Sequence, residues 1–100
     1  MTQLVERSLR VVNRLGLHAR AAARLVRTAC AYRSRIRLER ADRSASADAK
    51  SILSVLMLAA SRGTELRVSA EGEDEWEALE AVCALIADGF GETEEEPRPA

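Results

Sequence analysis

The strongest constraint on the fold is the way the hydrophobic period changes along the chain. Leu4 to Val12 mixes alternation with β-branched residues; Leu9 and Val11 point one way and Ser8 and Arg10 the other, which predicts a half-buried strand. From Ala19 to Tyr32 the period becomes helical. Ala19, Ala22, Ala23, Val26, Ala29 and Cys30 form an apolar stripe with Leu25 at its margin, and Arg20, Arg24 and Arg27 recur at i, i+4 and i+7 on another face. Arg35 to Arg40 alternates again, Ile36 and Leu38 against Arg37 and Glu39. Ala41-Asp42-Arg43 reads as a hairpin turn and Ser44 to Ala47 as a short edge arm. A helix over Ser51 to Ser61, a strand over Thr64 to Ala70 and a last helix carrying Trp76, Leu79, Val82, Cys83, Ile86 and Phe90 complete the series. The order strand, helix, strand, strand, helix, strand, helix favours α+β architecture, an antiparallel sheet with its helices on one face.

Three boundaries follow from local chemistry. Ser51 is a good N-cap, and Gly63 suits a left-handed C-terminal cap for the same helix. Asp74 with Glu77 three residues later resembles a capping box for the last helix. Residues 1–90 form one domain, and the acidic, proline-containing stretch 91–100 is expected to be a disordered tail.

Charge is balanced overall but not along the chain. Residues 1–50 carry twelve Lys or Arg against four acids, residues 51–100 three against twelve. The basic half fits an anionic ligand or an acidic protein surface. A nucleic-acid module is the rival from another class, but Tyr32, Trp76 and Phe90 all fall on or beside helices, leaving the strands without stacking residues. Cys30 and Cys83 are far apart and read as buried thiols. With a single histidine and no C-x-x-C unit, no metal site and no cofactor are expected. No run is long enough to span a bilayer and no signal-peptide pattern opens the chain, so the expected setting is cytoplasmic, without membrane insertion.

The lone histidine stands in Gly16-Leu17-His18-Ala19-Arg20, between a turn glycine and a helix start. Helix N-termini offer unpaired N–H groups and the positive end of the macrodipole, which suits a phosphate, and Arg20 adds a charged donor. Those surroundings favour a neutral imidazole with a lone pair free for attack. The second feature is the helix after Ser51. Ile52, Leu53, Val55, Leu56, Met57 and Leu58 cover more of its circumference than one core contact needs, so a patch over Ile52–Met57 is expected to face outward as a docking surface.

Gly16-Leu17-His18-Ala19-Arg20, Lys50-Ser51-Ile52-Leu53, Gly63-Thr64 and Ser69-Ala70-Glu71-Gly72-Glu73-Asp74-Glu75 together resemble the histidine-containing phosphocarrier (HPr) family of the bacterial phosphoenolpyruvate-dependent sugar phosphotransferase system. The likeness covers roughly residues 4–90 by this motif matching. It implies an open-faced β-sandwich, βαββαβα, and a phosphoryl relay rather than a stand-alone enzyme. By the resemblance His18 accepts a phosphoryl group from phosphorylated enzyme I on Nδ1 and passes it to IIA components of sugar permeases, and Arg20 stabilises it. Ser51 matches a serine modified by an HPr kinase/phosphorylase in some lineages. Ile52, Leu53 and Leu56 match the apolar docking surface, with Arg24 and Arg27 at polar or basic contact positions. A monomer is implied, and the alternatives are a nitrogen-related or regulatory branch of the same chemistry, or an interaction module using the Ile52–Met57 patch with His18 unmodified. Two departures stand out. Ala21 replaces the usual proline just inside the helix, and the stretch from His18 to Ser51 is about two residues longer than usual by the same matching, read as an insertion around Ala47–Ala49.

Overall fold

The computed structural model describes residues 4–92. Its elements are β1 (Val5–Arg10), α1 (Ala19–Cys30), β2 (Arg35–Arg40), β3 (Ser46–Asp48), α2 (Ile52–Met57), β4 (Glu65–Glu71) and α3 (Glu75–Ala87), followed by a 3-10 turn at Gly89–Gly91. All strand pairs are antiparallel, in the order β1-β4-β2-β3. This is the expected open-faced β-sandwich. Val5 opposes Ala70 and Leu38 opposes Val68 on the covered face, so alternate residues of each strand meet the helices. Ile36, Leu38, Leu66 and Val68 are fully buried against Leu25, Leu79 and Ile86, each side chain contributing about 1.5–3 kcal/mol. The other face is polar, with Arg67 between Glu6 and Glu39.

Several local expectations change in three dimensions. Leu25 is fully buried, whereas Cys30 is exposed: α1 turns its largest apolar side chain into the core, and its last residue runs past the packed region. Cys83 is buried as expected, and both thiols are free. Trp76 is 57% exposed because it lies in the first turn of α3, ahead of the buried row that begins at Ala78. Phe90 belongs to the core but not to the helix; it sits in the turn after α3.

The caps differ too. Ser51 Oγ accepts from the Ser54 N–H, as a capping serine should. Its helix, however, ends at Met57 and leaves through Ala59, which itself has a positive φ of 51°. Gly63, at φ 90°, instead occupies the turn closed by Thr64 N–H on the Ser61 carbonyl. Asp74 makes no capping bond to α3. Its carboxylate accepts from Arg33 N–H (2.9 Å), Ser34 N–H (2.9 Å) and Ser34 Oγ (2.6 Å), clamping the entry of β2. Those bonds hold its pKa at about 2.

The β2–β3 ladder runs without a bulge through Leu38↔Ala47 and Arg37↔Asp48. An insertion at Ala47–Ala49 would break that register, so the extra length is taken up by the loop 41–44, which the Arg40 N–H closes on the Ala45 carbonyl. Gly91 and Glu92, placed with the tail in the reading above, are part of the described structure; 93–100 lie outside the described residues. Among the described residues no helix is long and apolar enough to cross a membrane.

Candidate functional site

The site is built on a tight loop. Asn13 and Gly16 close it, the Gly16 N–H donating to the Asn13 carbonyl and Asn13 Nδ2 to the Gly16 carbonyl at 2.8 Å. Gly16 is needed for two reasons. Its φ is 66°, and a Cβ there would stand 2.5 Å from the Ala60 carbonyl oxygen and 2.8 Å from Ser61 Cα. The next residue seals the approach, Leu17 N–H donating to Ala60 O at 2.9 Å. The histidine loop is thereby pinned to the segment that leaves α2.

His18 is the N-cap of α1, extended at φ −76°, ψ 179°, and its ring is partly exposed. Nδ1 accepts the Arg20 backbone N–H at 3.2 Å, and Nε2 lies 2.5 Å from Glu92 Oε2. Nδ1 is therefore the unprotonated nitrogen. An ionised carboxylate can only accept, so Nε2 carries the proton and Nδ1 the lone pair. Burial alone would push the Glu92 carboxyl up, but the bonds from Asn13 and His18, with the charge of Arg24 nearby, outweigh it and hold it below its ordinary 4.5.

Asn13 and Glu92 are the site residues that pattern reading missed. Asn13 looked like turn chemistry; it is fully buried and its Nδ2 also donates to Glu92 Oε1 at 3.1 Å. Its Oδ1 is buried without a partner among the described residues. Glu92 was hidden in a run of acids. The only hint was the Gly89-Phe90-Gly91 sequence before it, where all three residues take positive φ and Phe90 is completely buried. This short strap is also held by the Arg24 guanidinium, which donates to the Phe90 carbonyl.

The expected arginines and docking residues divide as follows. Arg20 offers His18 its backbone N–H, while its side chain is exposed and makes no contact with the ring. Arg24 is drawn to the strap and Arg27 is exposed. Ile52 (44%), Leu53 (65%), Leu56 (36%) and Met57 (72%) form the outward patch, with Val55 and Leu58 buried beneath. Ser51 is half-buried at its edge, and Lys50 Nζ donates to the Tyr32 carbonyl at 2.8 Å, tying the start of α2 to the end of α1. Among the described residues no acid, cysteine and histidine cluster could hold a metal ion.

A histidine capping a helix beside an exposed apolar helix is the arrangement found where the chain is compared with known proteins. Residues 5–88 match the family model described as the PTS HPr component phosphorylation site. The chain belongs to the HPr family. It is similar to the phosphocarrier protein HPr of Cupriavidus necator, 44% identical over 91 residues, which covers 91% of this chain and 100% of that protein. It is also similar to the phosphocarrier protein NPr of Escherichia coli K12, 38% identical over 88% of this chain and 97% of that one. The crystal structure of HPr-C-His from Thermoanaerobacter tengcongensis superposes with a TM-score of 0.83 at 40% identity, covering 89% and 98% of the two chains. Family membership makes this chain a phosphocarrier of the phosphotransferase system, working with other proteins of that system.

Proposed function

We propose that His18 Nδ1 accepts a phosphoryl group from phosphorylated enzyme I and passes it to IIA components in sugar uptake and its regulation. The observation that carries this reading is the pair of bonds on the ring. Glu92 engages Nε2–H, which leaves the lone pair on Nδ1, the nitrogen that faces the N-terminus of α1. In the transfer, the P–N bond on the donor breaks as the P–N bond to Nδ1 forms. The Nε2 proton stays where it is, stabilised by Glu92. Nδ1 can no longer accept from Arg20 N–H, so that N–H turns to a phosphoryl oxygen, and the Arg20 side chain closes on the same group as a charged donor. Helix N–H groups and one guanidinium hold the phosphoryl without activating water.

Docking falls to the patch Ile52, Leu53 and Leu56, edged by Arg24 and Arg27. A small apolar area with a basic rim suits transient complexes with acidic partners. Ser51 is the regulatory site in this reading. Phosphate on its Oγ, placed there by an HPr kinase/phosphorylase, would exchange the Ser54 cap for a charged one and set negative charge beside the patch. The similarity to NPr favours a second reading, the same His18 chemistry in a nitrogen-related branch with different acceptors.

Incubation with phosphoenolpyruvate and enzyme I tests the proposal. The expected product is an acid-labile, base-stable phosphate that His18→Ala lacks. Labelling that survives the substitution would refute it, and partner binding unchanged by His18→Ala without any labelling would favour the interaction-module reading. Transfer from the labelled protein to sugar-type or nitrogen-type IIA proteins separates the two branches.

A further inference from the structure

Two arginines on α1 stand beside the histidine with unpaired side chains. Arg20 and Arg27 are exposed, and among the described residues neither guanidinium takes part in a hydrogen bond or ion pair. Arg24, between them on the same face, is already used by the strap. The strap delivers the chain to this spot, because Glu92, the last described residue, has its carboxylate on His18. The sequence then continues Thr93-Glu94-Glu95-Glu96.

The lengths match. An extended chain covers about 3.3–3.6 Å per residue, so Glu94 to Glu96 come within about 7–14 Å of Glu92 along the chain. Arg20 and Arg27 are separated by about 10 Å along a helix that rises 1.5 Å per residue. Three carboxylates thus begin within reach of two unpaired guanidiniums, with only Arg98 in opposition beyond Pro97. Individual exposed charge pairs are weak, but a short tether gives an effective concentration of roughly millimolar, enough for such pairs to form without a dedicated pocket.

We propose that the glutamates at 94–96 occupy the arginine face of α1 between docking events, so that the chain carries its own competitor for acidic partners. The identity of the displaced partner rests on the reading under Proposed function; the contact of the tail with α1 does not. The device would raise the threshold for productive docking and would weaken as salt screens the charges over a Debye length of about 8–10 Å.

The test compares the full chain with a Glu94→Gln, Glu95→Gln, Glu96→Gln triple variant, which keeps the length and leaves the core untouched. Amide and arginine Nε resonances of Arg20, Arg24 and Arg27 are expected to differ between the two at low salt, with the difference vanishing at high salt. Identical spectra over α1 would overturn the proposal, and differences that grow with protein concentration would assign the contact to a second copy and overturn the intrachain version. In phosphorylation by enzyme I, the variant is expected to show a KM about two- to fivefold lower at low salt with kcat unchanged. Equal KM values would overturn the competitor role. Should enzyme I fail to phosphorylate the unaltered chain, the carrier reading falls, while the α1 resonances still decide the tail contact.

Discussion

Replacing Gly16 by alanine should damage this protein more than replacing Gly63, although both glycines take positive φ, 66° and 90°. An L-residue in the left-handed region costs about 1–2 kcal/mol, offset by about 0.4–1 kcal/mol because alanine also restricts the unfolded chain. That balance is the whole effect at Gly63, where an added Cβ meets nothing within 4 Å. At Gly16 the new carbon would stand 2.5 Å from Ala60 O, a backbone atom that cannot rotate away. Relieving such overlap requires a backbone shift costing about 1–3 kcal/mol more. Gly63→Ala should therefore lower stability by about 1 kcal/mol or less, and Gly16→Ala by about 2–4 kcal/mol. Urea denaturation gives both numbers, with the midpoint moving and the slope unchanged if only the folded state is affected. The shift also lifts the histidine loop away from the α2 exit that Leu17 N–H seals, so phosphorylation by enzyme I should slow by about tenfold or more in Gly16→Ala alone. Equal costs for the two substitutions, in either assay, would refute the argument that close approach rather than backbone freedom demands glycine at position 16.

Two further outcomes are expected. The Asp74 carboxyl titrates at about 2 instead of its ordinary 3.8, so the stability it contributes is complete above 3.8 and is lost as pH falls through about 2. Acid denaturation followed by circular dichroism should show a loss across that window that Asp74→Asn lacks; parallel curves would remove the clamp on Arg33 and Ser34. Ala21→Pro should raise stability by about 0.4–1 kcal/mol through the unfolded chain, since position 21 lies in the first turn and its N–H makes no hydrogen bond among the described residues. If that N–H instead helps to hold the phosphoryl, the proline variant should lose phosphate about three- to tenfold faster, as expected for one lost hydrogen bond; unchanged decay would confine Ala21 to a structural role.

Elements with a clean period were legible from the chain alone. β2 spans Arg35–Arg40 as its alternation indicates, and the surplus apolar residues after Ser51 do face outward. What escaped is information held between distant parts of the chain. Leu25 and Trp76 each sit on a correctly identified periodic face, but periodicity says nothing about where a helix runs past the sheet beneath it. Asp74 has the sequence of a helix cap and is claimed instead by the N–H groups of Arg33 and Ser34, whose arrival depends on the sheet. The partnership of His18 with Glu92 spans 74 positions and leaves no local trace in a stretch of glutamates.

That long-range partnership makes the orientation of the imidazole a property of the folded domain as a whole. The strap that brings Glu92 to His18 contains Phe90 at φ 59°, a conformation costing about 1–2 kcal/mol for an L-residue. Complete burial of the phenyl ring returns about 1.5–3 kcal/mol, and the Arg24 bond to its carbonyl adds a charge-assisted hydrogen bond. The favourable terms exceed the strain, so the strap closes, and it closes only where α3 has packed and α1 has placed Arg24. Glu92 is then held by Asn13 at 3.1 Å and takes Nε2, leaving Nδ1 with its lone pair at the helix N-terminus. A carrier that must neither lose its phosphoryl to water nor keep it from its acceptor needs one nitrogen presented in one direction. Here that selection is made by a buried aromatic ring and two polar side chains rather than by the residues adjoining the histidine.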